Sequence, residues 1–198
     1  MRYLALGDSY TIGEGVANAE RWPAQLVARL RREGIAVDEL QIVATTGWTT
    51  DELSTAMDAA LLAPPYDLVS LLIGVNNQYR GRSVDEYRGQ FQQLLDSAIA
   101  LAGARSERVF VLSIPDWGVT AFGQQSGRDI AQIAHELDAY NAAARDICIT
   151  RKVAWVDITP LSRTWPAQVT SDGLHPSGEQ YGLWATEAWP AVRGALAP

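Results

Sequence analysis

The chain has 198 residues, enough for one domain with a sizeable core. Its composition, 47% hydrophobic and 20% charged, is that of an ordinary globular protein. A net charge of −7 argues against a nucleic-acid partner, which needs clustered Lys and Arg against its phosphates. No apolar run approaches the roughly 20 residues of a membrane-spanning helix. The N-terminal "MRYLALGDS" has too short an apolar stretch for a signal peptide, so a cytoplasmic location is expected, with a processed secreted form as the alternative. The single cysteine, Cys148, excludes an intramolecular disulfide, and its apolar neighbours in "ARDICIT" make it a small buried hydrophobe.

In chain order, the first apolar run is 2–6 (RYLAL). It stops at Gly7-Asp8-Ser9. A helical stripe follows at Trp22, Leu26 and Leu30. The second run, 40–44 (LQIVA), leads into "TTGWTT", and Thr49 with Glu52 has the capping-box spacing of a helix start. The third, 67–73 (DLVSLLI), leads into "GVNNQYRG". Ser83 with Glu86 opens the next helix, with a stripe at Tyr87, Phe91, Leu94, Leu95 and Ala98. The fourth run, 108–114 (RVFVLSI), is followed by 115–127 (PDWGVTAFGQQSG), the longest stretch without periodicity. The stripe Ile130, Ile133, Ala134, Leu137, Asn141 and Ala144 predicts a further helix. The fifth run is 153–158 (VAWVDI), followed by "SDGLHPSG". Ser177 with Gln180 starts a last helix, which Pro190 should break or kink.

Most of these runs are nearly continuous rather than alternating, as strands buried on both faces of a parallel sheet are. Five βα units predict an α/β fold, a three-layer α/β/α sandwich with a five-stranded parallel sheet and right-handed crossovers. Residues 1–198 show no repeat, low-complexity segment or linker, and form one domain.

Ligands of open parallel sheets bind at the carboxyl ends of the strands. There the chain offers Ser9, Gly47, Asn76 with Asn77, Trp117, and Asp172 with His175. A serine hydroxyl needs a base to become a nucleophile, and the chain has two histidines. His135 lies beside the apolar stripe of a helical pattern, and its segment fails the H-E-x-x-H zinc pattern because position 139 is alanine. His175 sits in a turn, and Asp172, three residues earlier, is close enough to accept a hydrogen bond from the other ring nitrogen of His175. The amides of Gly47 and Ser9 and the carboxamide of Asn76 are candidate oxyanion donors. Taken singly, each residue also has a plain reading as a turn or loop residue. One cysteine, two distant histidines and no spaced carboxylate cluster argue against a metal site. "GEGVAN" lacks the third glycine of a dinucleotide loop, so no cofactor is called for.

"GDSY", Gly47, "GVNN" and "DGLH", in that order, resemble the SGNH hydrolases, also called the GDSL esterase and lipase family. The resemblance spans nearly the whole chain. It implies a flavodoxin-like sheet of order 2-1-3-4-5, Ser9 as nucleophile, Gly47 and Asn76 as oxyanion-hole residues, His175 as base and Asp172 as its orienting carboxylate. The family's third block often reads Gly-x-Asn-Asp, whereas this chain has Asn77 in place of the Asp; Asn77 and Trp117 are assigned to substrate binding. Asp8 is expected to be structural, accepting backbone amides in the turn after the first strand.

The leading expectation is hydrolysis of a small-molecule or lipid-like carboxylic ester through an acyl-enzyme. The alternatives are an acyltransferase using the same site and a non-catalytic ligand-binding domain. The segment 115–127 is expected either to line an acyl pocket with Trp117, Val119 and Phe122, moving as a flap on Gly118, Gly123 and Gly127, or to plug the end of the sheet. Arg80 and Arg82 read as solvated loop charges rather than an anion-binding pair.

Overall fold

The computed structural model describes residues 1–197. Strands β1 (Arg2–Gly7), β2 (Glu39–Ala44), β3 (Leu68–Leu72), β4 (Val109–Leu112) and β5 (Ala154–Val156) form one parallel sheet of order β2-β1-β3-β4-β5. In register, Leu4 stands between Gln41 of β2 and Val69 of β3. β3 and β4 are buried along their whole length, which is why their sequences read as unbroken apolar runs. The polar residue inside this region, Ser70 of β3, pairs with the Tyr3 hydroxyl of β1 at 2.8 Å, so neither group is left unsatisfied.

The helices are α1 (Ser9–Ile12), α2 (Trp22–Arg32), α3 (Thr50–Ala59), α4 (Val75–Tyr79), α5 (Val84–Leu101), α6 (Ala121–Gln125), α7 (Ile130–Arg151), α8 (Thr159–Thr164), α9 (Gly178–Glu187) and α10 (Trp189–Leu196). α2 packs with α9 and α10 on one face of the sheet, and α3, α5 and α7 pack on the other. The three expected capping positions do open helices, each with half of the reciprocal box. Ser83 Oγ accepts from the Glu86 amide at 3.1 Å and Ser177 Oγ from the Gln180 amide at 3.4 Å. Glu52 accepts from the Thr49 amide at 2.9 Å. Pro190 falls in the first turn of α10, after α9 has ended at Glu187. On α7, Ile130 is exposed rather than part of the buried stripe, and Asn141 turns its carboxamide to the Ile114 backbone. It accepts from the Ile114 amide at 2.8 Å and donates to its carbonyl at 3.0 Å, just where β4 has run out of ladder partners.

The segment 115–127 is not a structureless loop, and the expectation of a flap is corrected. It forms a 3₁₀ turn, Trp117–Val119, and then α6. Its root is pinned by Asp116, which is buried, accepts from the Gly118 amide at 2.9 Å and pairs with Arg163 at 2.9 Å. A Cβ at Gly123 would lie 2.3 Å from the Trp117 carbonyl oxygen, so this glycine permits close packing rather than motion. Phe122 is tied through its amide to the Gly173 carbonyl at 3.0 Å, joining this segment to the one that carries His175. Cys148 is buried in the core, and His135 is exposed on α7.

Candidate active site

β1 ends at Gly7, and Asp8 caps α1 by accepting from the Tyr10 amide at 3.0 Å. This turn sets Ser9 at the start of α1. Asp8 is fully buried and its Oδ2 has no partner among the described residues; burial pushes its carboxyl up to about 7. Asp8 is thus part of the turn's structure, as its position suggested.

After β2 the chain turns through Gly47, whose φ of +88° is one that side chains other than glycine's resist. Among the described residues the Gly47 amide makes no hydrogen bond. Its carbonyl accepts from Arg80 Nη2 at 2.6 Å. After β3, α4 carries Asn76, whose Nδ2 donates to the Trp48 carbonyl at 2.9 Å and keeps its second hydrogen free. Asn76 of α4 and Arg80, the residue that follows the helix, thus fasten the Gly47 loop. Arg80 also pairs with Glu52 at 3.1 Å, and Arg82 pairs with Asp51 at 2.6 Å, so these arginines are structural ties rather than loose loop charges.

After β5 and α8 the chain closes a turn stapled by the bridge Val169–Pro176. Asp172 Oδ1 accepts from the Thr170 hydroxyl at 2.8 Å and from the amides of Leu174 at 2.8 Å and His175 at 3.0 Å. Asp172 Oδ2 meets His175 Nδ1 at 2.6 Å. Partial burial raises the Asp172 carboxyl, but the His175 ring and these other donors outweigh it and bring the carboxyl down to about 2. The Tyr10 ring stands edge-on to the imidazole, centroids 5.8 Å apart, and limits how it can tip. Neither Ser9 Oγ nor His175 Nε2 has a hydrogen-bond partner among the described residues.

Ser9, Gly47, Asn76, Trp117 and His175 line one cleft of about 240 Å³, together with Tyr10, Thr46, Val75, Tyr79, Phe122 and Leu174. Asp172 stands outside it, on the far nitrogen of His175. Asn77 is the exception, and its assignment to substrate binding is corrected. It is fully buried; its Oδ1 accepts from the Thr50 amide at 3.1 Å and its Nδ2 donates to the Thr50 hydroxyl at 2.7 Å. Adjacent helical residues point about 100° apart, so Asn76 and Asn77 do not share a face. Trp117 lines the cleft and is also only 2% exposed, with Nε1 donating to Gln78 at 2.9 Å, so pocket wall and plug are one residue. Tyr79 belongs to no motif in the sequence; the one signal for it is its place three residues after Asn76, a spacing that brings two helical residues to one side.

The cleft offers a hydroxyl, an imidazole held by a carboxylate, and uncommitted N–H donors from a backbone amide and a carboxamide. Such a set can support acyl transfer to serine. Among the described residues no three His, Cys, Asp or Glu side chains gather as metal ligands, and no helix is long and apolar enough to cross a membrane.

The profile of the GDSL-like lipase/acylhydrolase family matches residues 5–183. The GDSL-like esterase Rv1075c of Mycobacterium tuberculosis (strain ATCC 25618 / H37Rv) is 29% identical over 203 residues; the match covers 98% of this chain and 62% of that protein's length. Among solved structures, TesA superposes with a TM-score of 0.79 at 20% identity, covering 99% of this chain and 100% of its own. The lipase/acylhydrolase from Enterococcus faecalis gives 0.75 at 20% identity, with 100% and 97% covered. Axe2, an acetylxylan esterase from Geobacillus stearothermophilus, gives 0.74 at 18% identity, with 96% and 93% covered. At these identities the structures speak to the fold, a three-layer α/β/α sandwich.

Proposed function

We propose that this chain, which belongs to the GDSL-like lipase/acylhydrolase family, is a serine esterase acting on small carboxylic esters through an acyl-enzyme. Ser9 Oγ attacks the ester carbonyl while His175 Nε2 takes its proton, and the Asp172 carboxylate holds Nδ1–H and steadies the imidazolium. The oxyanion that forms is met by the Gly47 amide, the Asn76 carboxamide and the Ser9 amide. His175 then returns the proton to the departing alcohol, leaving the acyl group on Ser9. Water, deprotonated by the same imidazole, attacks the acyl-enzyme; the acid leaves and Ser9 regains its proton.

The observation that carries this reading is the His175–Asp172 contact of 2.6 Å at a cleft that Ser9, Gly47 and Asn76 also line. At about 240 Å³ the cleft is at the small end for ligand sites, and its walls are mostly aromatic and aliphatic, which suits a short acyl group. The test is a panel of p-nitrophenyl esters from acetate to palmitate with Ser9→Ala as control. Turnover greatest for the short esters and absent in Ser9→Ala supports the reading; equal turnover by Ser9→Ala removes it.

A further inference from the structure

We infer that Tyr79 is the specificity-determining wall of this site: it closes the catalytic cleft against a second, larger groove and so restricts the enzyme to short acyl groups. The inference rests on the esterase reading and adds what limits its substrate. One side of Tyr79 lines the cleft with Ser9 and His175. Tyr79 also lines a groove of about 610 Å³, together with Gln78, Arg128, Gln132, Ile133 and Glu136. Tyr79 is the aromatic side chain that both cavities share, so it is the partition between them.

Two of the aromatic walls of the cleft, Trp117 and Tyr79, are held very differently. Trp117 is buried and hydrogen-bonded to Gln78. Tyr79 is 41% exposed, and its hydroxyl makes no hydrogen bond among the described residues. Its ring is kept in place by contacts on its faces and edges. It meets the Trp117 ring edge-on at 5.4 Å between centroids, and the Arg128 guanidinium lies 4.3 Å from its centroid. Arg128 also donates to the Tyr79 carbonyl at 3.0 Å, which fixes the guanidinium against the end of α4. Arg128 is therefore a positioning residue, a strut on the groove side of the partition. An acyl chain that has filled the cleft would have to displace this ring to continue into the groove, where the aliphatic stems of Arg128 and Gln132 offer apolar surface.

The experiment measures kcat/KM for p-nitrophenyl acetate, butyrate, hexanoate and octanoate with the unaltered protein, Tyr79→Ala, Tyr79→Phe and Arg128→Ala. One newly buried methylene is worth about fourfold, so access for two of them raises the octanoate-to-acetate ratio by at least about tenfold in Tyr79→Ala, with the gain carried by KM. Tyr79→Phe keeps the ring and keeps the original ratio. Arg128→Ala shifts the ratio in the same direction as Tyr79→Ala, by less. An unchanged ratio in Tyr79→Ala, with acetate still turned over, overturns the partition; a shift in Tyr79→Phe as large as in Tyr79→Ala overturns it too. An unchanged ratio in Arg128→Ala overturns the strut. Absence of turnover of every ester by the unaltered protein overturns the esterase reading itself and the inference with it.

Discussion

Asp172→Asn exchanges one carboxylate oxygen for an NH2 group and asks which way the new amide must face. The carboxylate it replaces is used unequally. Oδ1 accepts three donors, from Thr170, Leu174 and His175, whereas Oδ2 accepts one, from His175 Nδ1. An amide has a single oxygen. With its NH2 at the Oδ1 place, the Thr170 hydroxyl can turn to accept from it, but the Leu174 and His175 amides face a donor, and each orphaned bond costs about 1–3 kcal/mol. With its NH2 at the Oδ2 place, the conflict involves His175 alone and disappears if the ring proton moves from Nδ1 to Nε2. The second arrangement wins by two bonds, roughly 2–6 kcal/mol. It leaves Nε2 protonated and unable to take the Ser9 proton. The expected result is a loss of about 10⁴ in kcat, equivalent to about 5.5 kcal/mol, with the fold intact. Turnover of p-nitrophenyl acetate measures the loss, and circular dichroism checks the fold. Nitrogen-resolved NMR reads the tautomer directly, because the chain's one other imidazole, exposed His135, is assigned through His135→Gln. A kcat within tenfold of the unaltered protein would refute the orienting role. A large loss with Nδ1 still protonated would refute the tautomer argument.

The remaining predictions concern the groups around this pair. A fluorophosphonate probe should add once to the protein and not at all to Ser9→Ala, as intact mass spectrometry reads; an adduct on Ser9→Ala excludes Ser9 as the nucleophile. Asn76→Ala should lower kcat by about 10²–10³ with little change in KM, and a KM effect alone would make Asn76 a ground-state contact. Trp117→Ala should cost about 3–5 kcal/mol in urea unfolding and also alter the acyl-chain profile, because the ring is both buried and part of the cleft wall; loss of neither contradicts its placement. Asp8 gives a pH dependence of defined sign. Its carboxyl is raised by burial from 3.8 to about 7 in the folded chain, so between these values the folded protein holds a proton that the unfolded one has released. Stability conferred below that window is lost as the pH rises to about 7, by up to about 1.4 kcal/mol per pH unit. Urea midpoints at pH 4.5 and pH 7 should differ in the unaltered protein and converge in Asp8→Asn; parallel behaviour of the two would show that Asp8 does not titrate in this range.

The features legible in the sequence are those whose cause is local. Strands buried on both faces have to be apolar at every position, so β1, β3 and β4 stood out as runs, and the turns after them could be searched for polar residues. Helix starts at Ser83 and Ser177 and the break at Pro190 depend on atoms within a few residues of each other. The motifs around Ser9, Gly47, Asn76 and His175 lie at strand ends, so a parallel sheet brings them to one edge. Tertiary structure decided what depends on partners distant in the chain. Asn77 belongs to the buried framework because Thr50, 27 residues away, occupies both ends of its carboxamide. Arg80 is a tie and not an anion site because the Gly47 carbonyl, 33 residues away, takes its Nη2. The stretch 115–127 is packed and not a flap because Arg163 neutralises Asp116, 47 residues away, and Gly173 anchors Phe122. Tyr79 separates two cavities only because Trp117, from the other side of β4, and Arg128, from before α7, meet its ring. Local chemistry sets which segments form and where they end. The direction in which a side chain is used is set by whatever the fold brings against it.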